Sequence, residues 1–265
     1  GQGYGIRRLV LHEELLSVIK ELNIPIHAQK ATNIQEHEHY VQIDTVQAKF
    51  LLAADGLHSP TRRKLGLGKA PLRPARMGIR QHYNIAPWSE FVEVYWSKES
   101  ECYITPVSDT EIGVAILFFK DKAPKISLAE KFEYFIAQHP ILQERLKGSA
   151  SLSSSILRGA GVFEQRVSSP QKDRILLIGD ASGYLDPITG EGIRLGLEEA
   201  KLALDLIEKD AWKSYAKQHR ALIRKYWWLT DGLLRLRQFP FLRKLMIRFL
   251  ARFPRIFGFF VSNLG

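Results

Sequence analysis

The chain has 265 residues, 38 basic and 28 acidic side chains, a formal net charge of +10 and 45% hydrophobic residues. That length and apolar content suit one large domain or two small ones with a real core. The single cysteine, Cys102, excludes an internal disulfide and makes a reducing, intracellular setting the expectation. No apolar run approaches the ~20 residues of a spanning helix and no secretory leader is apparent, so the expected protein is cytoplasmic, or peripheral to a membrane. The charge is concentrated at one end. Lys213 to Arg255 holds twelve basic residues and one acid, Asp231, against 26 basic and 27 acidic residues elsewhere.

Taken in order, the chain opens Gly1-Gln2-Gly3-Tyr4-Gly5. Ile6 stands where a dinucleotide fingerprint needs glycine, and no strand precedes it, so this reads as a loop and the chain as a fragment or processed form. Leu11, Leu15, Leu16, Ile19 and Leu22 recur at helical spacing and predict an amphipathic helix over about 9–22. Ile24 to Ala28 reads as a short strand. Alternation around Tyr40, Gln42 and Asp44 suggests a hairpin arm, followed by a buried strand over Val46 to Ala54 that ends at Asp55-Gly56. Ser59-Pro60 starts a short helix, with Ser as N-cap and Pro at its first position, and Gly66 closes it.

From Ala70 to about Val162 the texture is that of an antiparallel sheet with one solvated face. Its strands are expected over Met77–Tyr83, Phe91–Trp96, Glu101–Val107 and Glu111–Phe119. Ser127–Ala137 and Ile141–Leu146 read as helices and Ser154–Phe163 as extended. Ile175 to Ile178 is an apolar run of buried-strand type. After it come Asp180, the glycines Gly183, Gly190 and Gly192, Pro187, and then a long helical pattern through Ile207. A strand ending in an acid, a Gly/Pro loop and a helix start form a cradle for a flat ligand, because the loop admits close approach and the helix start offers free N–H groups.

Three of these segments carry a family resemblance. Ala53-Ala54-Asp55-Gly56-Leu57-His58-Ser59-Pro60-Thr61-Arg62 resembles the A-D-G-x-x-S-x-x-R element of FAD-dependent monooxygenases and reductases of the p-hydroxybenzoate hydroxylase fold. Gly179-Asp180-Ala181, with Asp186-Pro187-Ile188-Thr189-Gly190-Glu191-Gly192-Ile193 following, resembles the second element of that family as geranylgeranyl reductases write it. Arg8 to Leu15 is similar to its R-x-x-L/F-D-x-x-L helix start, with His12 in place of the acid.

The resemblance implies an α/β chain (α+β overall): an incomplete FAD-binding Rossmann-like domain with an inserted antiparallel-sheet substrate domain and C-terminal helices. The expected parts are 1–69 and 163–210 for FAD, 70–162 for substrate, and 211–265 as a basic amphipathic tail. The family's first βαβ unit, with G-x-G-x-x-G, would precede residue 1. Implied cofactor-binding residues are Arg8, Asp55, Gly179, Asp180, Pro187, Gly190, Gly192 and Ile193. Arg8 would stand beside the FAD phosphates, and Asp55 near the pyrophosphate or the nicotinamide nucleotide. Asp180 suits ribityl hydroxyls, since a carboxylate is the stronger acceptor, and the helix start suits negative charge on the flavin N1–C2=O edge.

On the substrate side, Tyr95, Tyr103, Thr105 and Pro106 are the candidates. Tyr103 to Pro106 loosely resembles the aromatic Y-x-W-x-F-P segment of geranylgeranyl reductases, with Thr105 in place of an aromatic residue; core packing is the competing account of Tyr95 and Tyr103. No catalytic acid, base or nucleophile triad stands out, and the eight histidines show no metal-ligand spacing. Each motif has a plain alternative: Asp180 as a loop cap, Asp55-Gly56 as a turn, Arg8 as a surface arginine.

The expectation is an FAD-dependent oxidoreductase fed by NAD(P)H that hydroxylates a substrate or reduces a double bond in an apolar, lipid-like or aromatic molecule. The other hypothesis is a non-catalytic remnant whose tail touches membrane. In that tail Leu242, Leu245, Met246, Phe249 and Phe253 share a helical face, with Lys244, Arg248 and Arg252 beside them. Nucleic acid is not an expected partner, since no binding fold accompanies the charge.

Overall fold

The structure is a computed structural model that describes residues 6–148, 156–237, 239–253, 255, 256 and 258. In chain order the first elements are α1 (Arg8–Glu21), β1 (Ile34–Glu36), β2 (Val41–Ile43), β3 (Val46–Ala48), β4 (Leu51–Ala53), α2 (Pro60–Lys64) and β5 (Gly68–Lys69). Then come β6 (Arg76–Tyr83), β7 (Glu93–Trp96), β8 (Ser100–Ser108), β9 (Glu111–Phe119), α3 (Leu128–Ile136), α4 (Pro140–Leu146) and β10 (Arg158–Gly161). The last are β11 (Arg166–Val167), β12 (Gln171–Lys172), β13 (Ile175–Leu177), α5 (Gly192–Glu208), α6 (Tyr215–Arg237) and α7 (Pro240–Arg252). They form two compact units. One holds residues 1–29 and 74–162, the other residues 30–73 and 163–265. The expected α/β character with an antiparallel insertion is met, and the first 29 residues group with the sheet.

The sheet unit is a five-stranded antiparallel sheet in the order β10-β6-β9-β8-β7. Its pleat sorts the residues. Ile112, Val114, Ile116 and Phe118 of β9 point to one face, where Ile79, Cys102 and Ile104 join them. Two short helices cover that face. Phe132, Phe135 and Ile136 of α3 and Leu142 and Leu146 of α4 close a single core, with Phe118 and Phe135 stacked at 4.5 Å between ring centroids. Helix α3 starts at a capping box: the Ser127 hydroxyl accepts from the Glu130 N–H, and the Glu130 carboxylate accepts from the Ser127 N–H. The opposite face of the sheet carries Arg80, His82, Tyr103 and Thr105.

Helix α1 forms over the residues its periodicity predicts, yet none of its residues is buried, and Leu15 and Leu22 are 49% and 65% exposed. The short strand expected at Ile24–Ala28 is not formed: the chain has no regular structure from Ile24 to Asn33. A strand exists only by pairing its backbone with a neighbour, and among the described residues nothing pairs with this segment.

The other unit is built around the parallel pair β4–β13, in which Leu51, Leu52 and Ala53 register with Ile175, Leu176 and Leu177. Strand β12 joins β13 antiparallel on its other side. The single strand expected over Val46–Ala54 is two. Strand β3 pairs antiparallel with β2 in a meander, the chain breaks at Lys49-Phe50, and β4 pairs with β13. Two parallel strands cannot carry one large core, and this unit has three small clusters. One joins Leu176 to Ala203, Leu206 and Tyr215, which seats α5 and the start of α6. Another joins Leu185, Leu195, Tyr226 and Leu234.

Phe239-Pro240 separates α6 from α7. The Gly1–Gly5 loop and the start of the extended segment at Ser154 lie outside the described residues.

Candidate cofactor site

Strand β13 is fully buried and ends at Leu177, and after Ile178 the segment Gly179–Ala181 makes one 3-10 turn. A second 3-10 turn, Pro187–Thr189, follows, and its N-cap Asp186 accepts the Ile188 N–H at 3.1 Å. Gly190 ends that turn at φ 73°, in the left-handed region that side chains avoid. Helix α5 begins at Gly192, and its N-cap Glu191 makes no side-chain cap bond. The N-cap side chain therefore leaves the first N–H groups of this 17-residue helix uncapped. A Cβ on Gly190 would meet nothing within 4 Å, and one on Gly192 would lie 3.9 Å from the Asp180 carboxylate. Gly179, Asp180 and Gly192 line one small recess with Gly183, Tyr184 and Tyr226, while Pro187, Gly190 and Ile193 are not in its lining.

The A-D-G-x-x-S-x-x-R element is joined to this loop by Arg62, which is 3% exposed. Its Nη1 donates to the carbonyls of Asp180 (3.1 Å) and Ala181 (3.0 Å), and its Nη2 to the Leu57 carbonyl (2.6 Å) and Gln165 Oε1 (2.7 Å). Burial pushes the Arg62 pKa down, with Asp55 and Asp180 opposing that. Ser59 caps α2 by accepting the Arg62 N–H at 2.9 Å, and Asp55 Oδ2 accepts the Thr61 N–H at 2.9 Å. Burial pushes the Asp55 carboxyl up, but hydrogen bonds from Ser59 and Thr61 outweigh it and hold the pKa below the ordinary value. Asp55 therefore shapes the start of α2, and Arg62 carries that shape to the Asp180 loop.

Sequence reasoning missed the support beneath the loop. Glu199, on α5 and 3% exposed, accepts the Gly179 N–H at 2.7 Å and the Ser182 hydroxyl at 2.9 Å through Oε2. His219 of α6 stands with Nε2 3.0 Å from Ser182 Oγ and 3.3 Å from Glu199 Oε1. Tyr215 donates its hydroxyl to the Leu177 carbonyl at 2.8 Å, and Tyr226 to the Asp186 carbonyl at 3.2 Å. One signal for Glu199 was available: it falls on the apolar side of the α5 pattern, seven residues beyond Gly192, where a charge needs a partner.

The remaining candidates lie in the sheet unit. Arg8 is exposed on α1 and lines a cleft with Arg7, His12, Arg80, His82 and Arg158. The substrate-side residues are divided by the pleat. Val94 registers with Tyr103, so Tyr95 is opposite Cys102 and turns toward the helix-covered core. Pro106, opposite Ile112, is on that face too. Tyr103 and Thr105 point to the other face, beside Ala115 and Gly113. Among the described residues no cluster of histidine, cysteine and acidic residues suits a metal ion.

The recess fits the ring side of a flavin: a carboxylate at a strand end, a glycine-lined opening and an uncapped helix start. Comparison with known proteins agrees. The FAD binding domain family matches residues 22–210. A digeranylgeranylglycerophospholipid reductase of Methanococcus vannielii is 23% identical over 200 residues, covering 69% of this chain and 47% of that protein. A menaquinone reductase of Mycobacterium tuberculosis is 27% identical over 174 residues, covering 62% of this chain and 42% of that protein. The chain thus spans about half the length of the curated relatives it matches. A triple mutant of the flavin-dependent brominase Bmp2 superposes with a TM-score of 0.77 over 97% of this chain and 70% of its own, at 18% identity, a likeness of fold. With the matched residues running from the end of α1 through the Asp180 loop and all of α5, the chain belongs to the FAD binding domain family, among the FAD-dependent oxidoreductases of geranylgeranyl reductase and p-hydroxybenzoate hydroxylase type.

Proposed function

We propose that this chain holds the ring side of FAD in an NAD(P)H-linked oxidoreductase acting on an apolar, lipid-like or aromatic substrate. One observation carries the reading: the Asp180 loop and the uncapped start of α5 border one recess, which Arg62 and Glu199 fix from behind. When bound, FAD supplies the redox chemistry. The chain's residues supply position and field. Asp180 accepts hydroxyl hydrogen bonds, the α5 N–H groups oppose negative charge at the ring edge, and Pro187 with Gly190 shapes the entry. The two relatives are both named as reductases, which favours reduction over hydroxylation.

The test is flavin retention by the purified protein. Asp180→Ala is expected to weaken flavin retention at least ~100-fold, the scale of losing a charged acceptor. Unchanged flavin content sinks the assignment. NAD(P)H oxidation coupled to substrate without oxygen marks the reductase, and oxygen uptake tied to substrate marks hydroxylation.

A second reading, membrane contact by the tail, is favoured by α7. Its partly covered side chains are Met246 and Leu250, while Leu242, Leu245 and Phe249 are about half exposed beside Lys244 and Arg248. No described helix is long and apolar enough to cross a membrane. Flotation with anionic vesicles, with and without residues 238–265, separates this reading from the first. Equal flotation removes it.

A further inference from the structure

Ser182, Glu199 and His219 meet under the Asp180 loop, each almost wholly closed to solvent. Glu199 Oε2 accepts the Gly179 N–H at 2.7 Å and the Ser182 hydroxyl at 2.9 Å. His219 Nε2 lies 3.0 Å from Ser182 Oγ and 3.3 Å from Glu199 Oε1. The donors can be counted. A carboxylate only accepts, and a serine hydroxyl has a single hydrogen. That hydrogen already has two acceptors in reach, Glu199 Oε2 and the Gly179 carbonyl at 2.8 Å. A bare lone pair on Nε2 would face a carboxylate oxygen across 3.3 Å, whereas an N–H there satisfies both neighbours. Serine, histidine and an acid together suggest nucleophile activation, but that chemistry needs the serine on one ring nitrogen and the acid on the other. Here both meet Nε2, and among the described residues the buried Nδ1 has no hydrogen-bond partner.

We infer that His219 donates from Nε2 into the Ser182–Glu199 pair and is thereby a positioning residue for the cofactor loop, setting the backbone that presents Asp180. The inference rests on the flavin reading of that loop. Glu199 belongs to α5, whose start borders the recess, and it lines that recess with Asp180 and Gly192. Helix and loop touch closely: a Cβ on Gly196 would come within 3.5 Å of Gly179 Cα. One carboxylate therefore ties the helix that opens at Gly192 to the residue before Asp180. A glutamate side chain has several rotamers. With Oε1 held at His219, the rotamer that turns Oε2 to the Gly179 and Ser182 donors is selected, and a further donor offsets the cost of a buried carboxylate. The same face of α6 continues the hold. Tyr215, His219 and Tyr226 are all buried on it, and they reach the loop at its beginning, middle and end: the Leu177 carbonyl, Ser182 and the Asp186 carbonyl. His219 is the middle grip, and the one set against the carboxylate.

The test takes the 265-residue chain and reads amide hydrogen exchange without flavin, then FAD binding by fluorescence titration. His219→Leu should speed exchange at Gly179 and Ser182 about tenfold, leave β9 unchanged and weaken FAD binding about tenfold, the scale of one hydrogen bond to a charged group. His219→Gln puts an amide donor where Nε2 stands and should return both values to within about threefold of the unaltered chain. A side chain that only filled space would not be rescued in this way. Ring-nitrogen NMR shifts of His219, assigned by their absence from the Gln variant, should show Nε2 protonated. Lys217→Gln, exposed on the same helix, should alter neither exchange nor FAD binding. Any of four results overturns the proposal: equal losses in the Leu and Gln variants, unchanged Gly179 exchange in His219→Leu, no hydrogen on Nε2, or faster loop exchange with FAD affinity intact. An unaltered chain that binds no FAD overturns the flavin reading and with it the role toward the cofactor, and is told apart from these by exchange and ring-nitrogen shifts that still find the loop held by His219.

Discussion

The two units spend their interiors differently. The sheet unit buries one continuous set of apolar side chains, from Ile79 to Leu146, between a sheet and two helices. The other unit has smaller apolar clusters and buries Ser59, Thr61, Arg62, Glu164, Ser182, Asp186, Glu199, His219 and Thr230. Apolar packing is non-directional and stabilises by area. Buried polar groups fix particular atoms, because each donor and acceptor must find its partner. The first kind of interior makes a platform, and the second makes a loop of defined shape. Here the second lies under the Asp180 loop.

Substitutions in the two interiors put that contrast at risk. Phe135→Ala, fully buried and stacked on Phe118, should cost about 4 kcal/mol in urea unfolding, with flavin binding retained once the protein is folded. Flavin loss at a temperature where the sheet is still folded would break the comparison. Arg62→Met keeps the volume and removes the donors to four oxygens. We expect about 3 kcal/mol of destabilisation together with loss of flavin, and increased hydrogen exchange at the amides around Gly179 with β9 unchanged. Stability loss with full flavin retention would show that the loop shapes itself.

The smallest effect is a pH dependence. Because the Asp55 pKa is below its ordinary value in the folded protein, its contribution is present above the unfolded value, about 3.9, and fades as pH falls through the folded one. Asp55→Asn should flatten the acid limb of a melting-temperature profile measured from pH 6 to 3. An unchanged limb would assign acid sensitivity to other carboxylates.

Much of this was legible because it is local. Ser59-Pro60 announced α2, the helical pattern of Ser127–Ala137 announced α3, and the alternation of Glu111–Phe119 gave β9 with its limits. What failed or stayed hidden depends on partners distant in the chain. Ile24–Ala28 has strand composition but no strand beside it. Val46–Ala54 breaks because its halves answer to different neighbours, β2 and β13. Tyr95 and Tyr103 look alike in sequence, and only the β7–β8 register turns them to opposite faces. Arg62 could be recognised as part of a motif, but its carbonyl partners are 118 and 119 residues away.

The pairing of β4 with β13 also sets an order of assembly. Leu51 waits for Ile175, while every partner in the sheet lies between Arg76 and Gly161. During synthesis the antiparallel strands meet as they emerge, and the hydrogen-bonding edge of β4 stays unsatisfied until the ribosome has delivered β13. Contacts of such separation form late and slowly, since the intervening chain must first be constrained. An early-folding insertion shortens that wait, because a compact body between Leu51 and Ile175 leaves less loose chain to close than a random coil would. The same interval is when β4 is open to wrong partners, so the sheet unit serves the other as a folding tether before either has a ligand to bind.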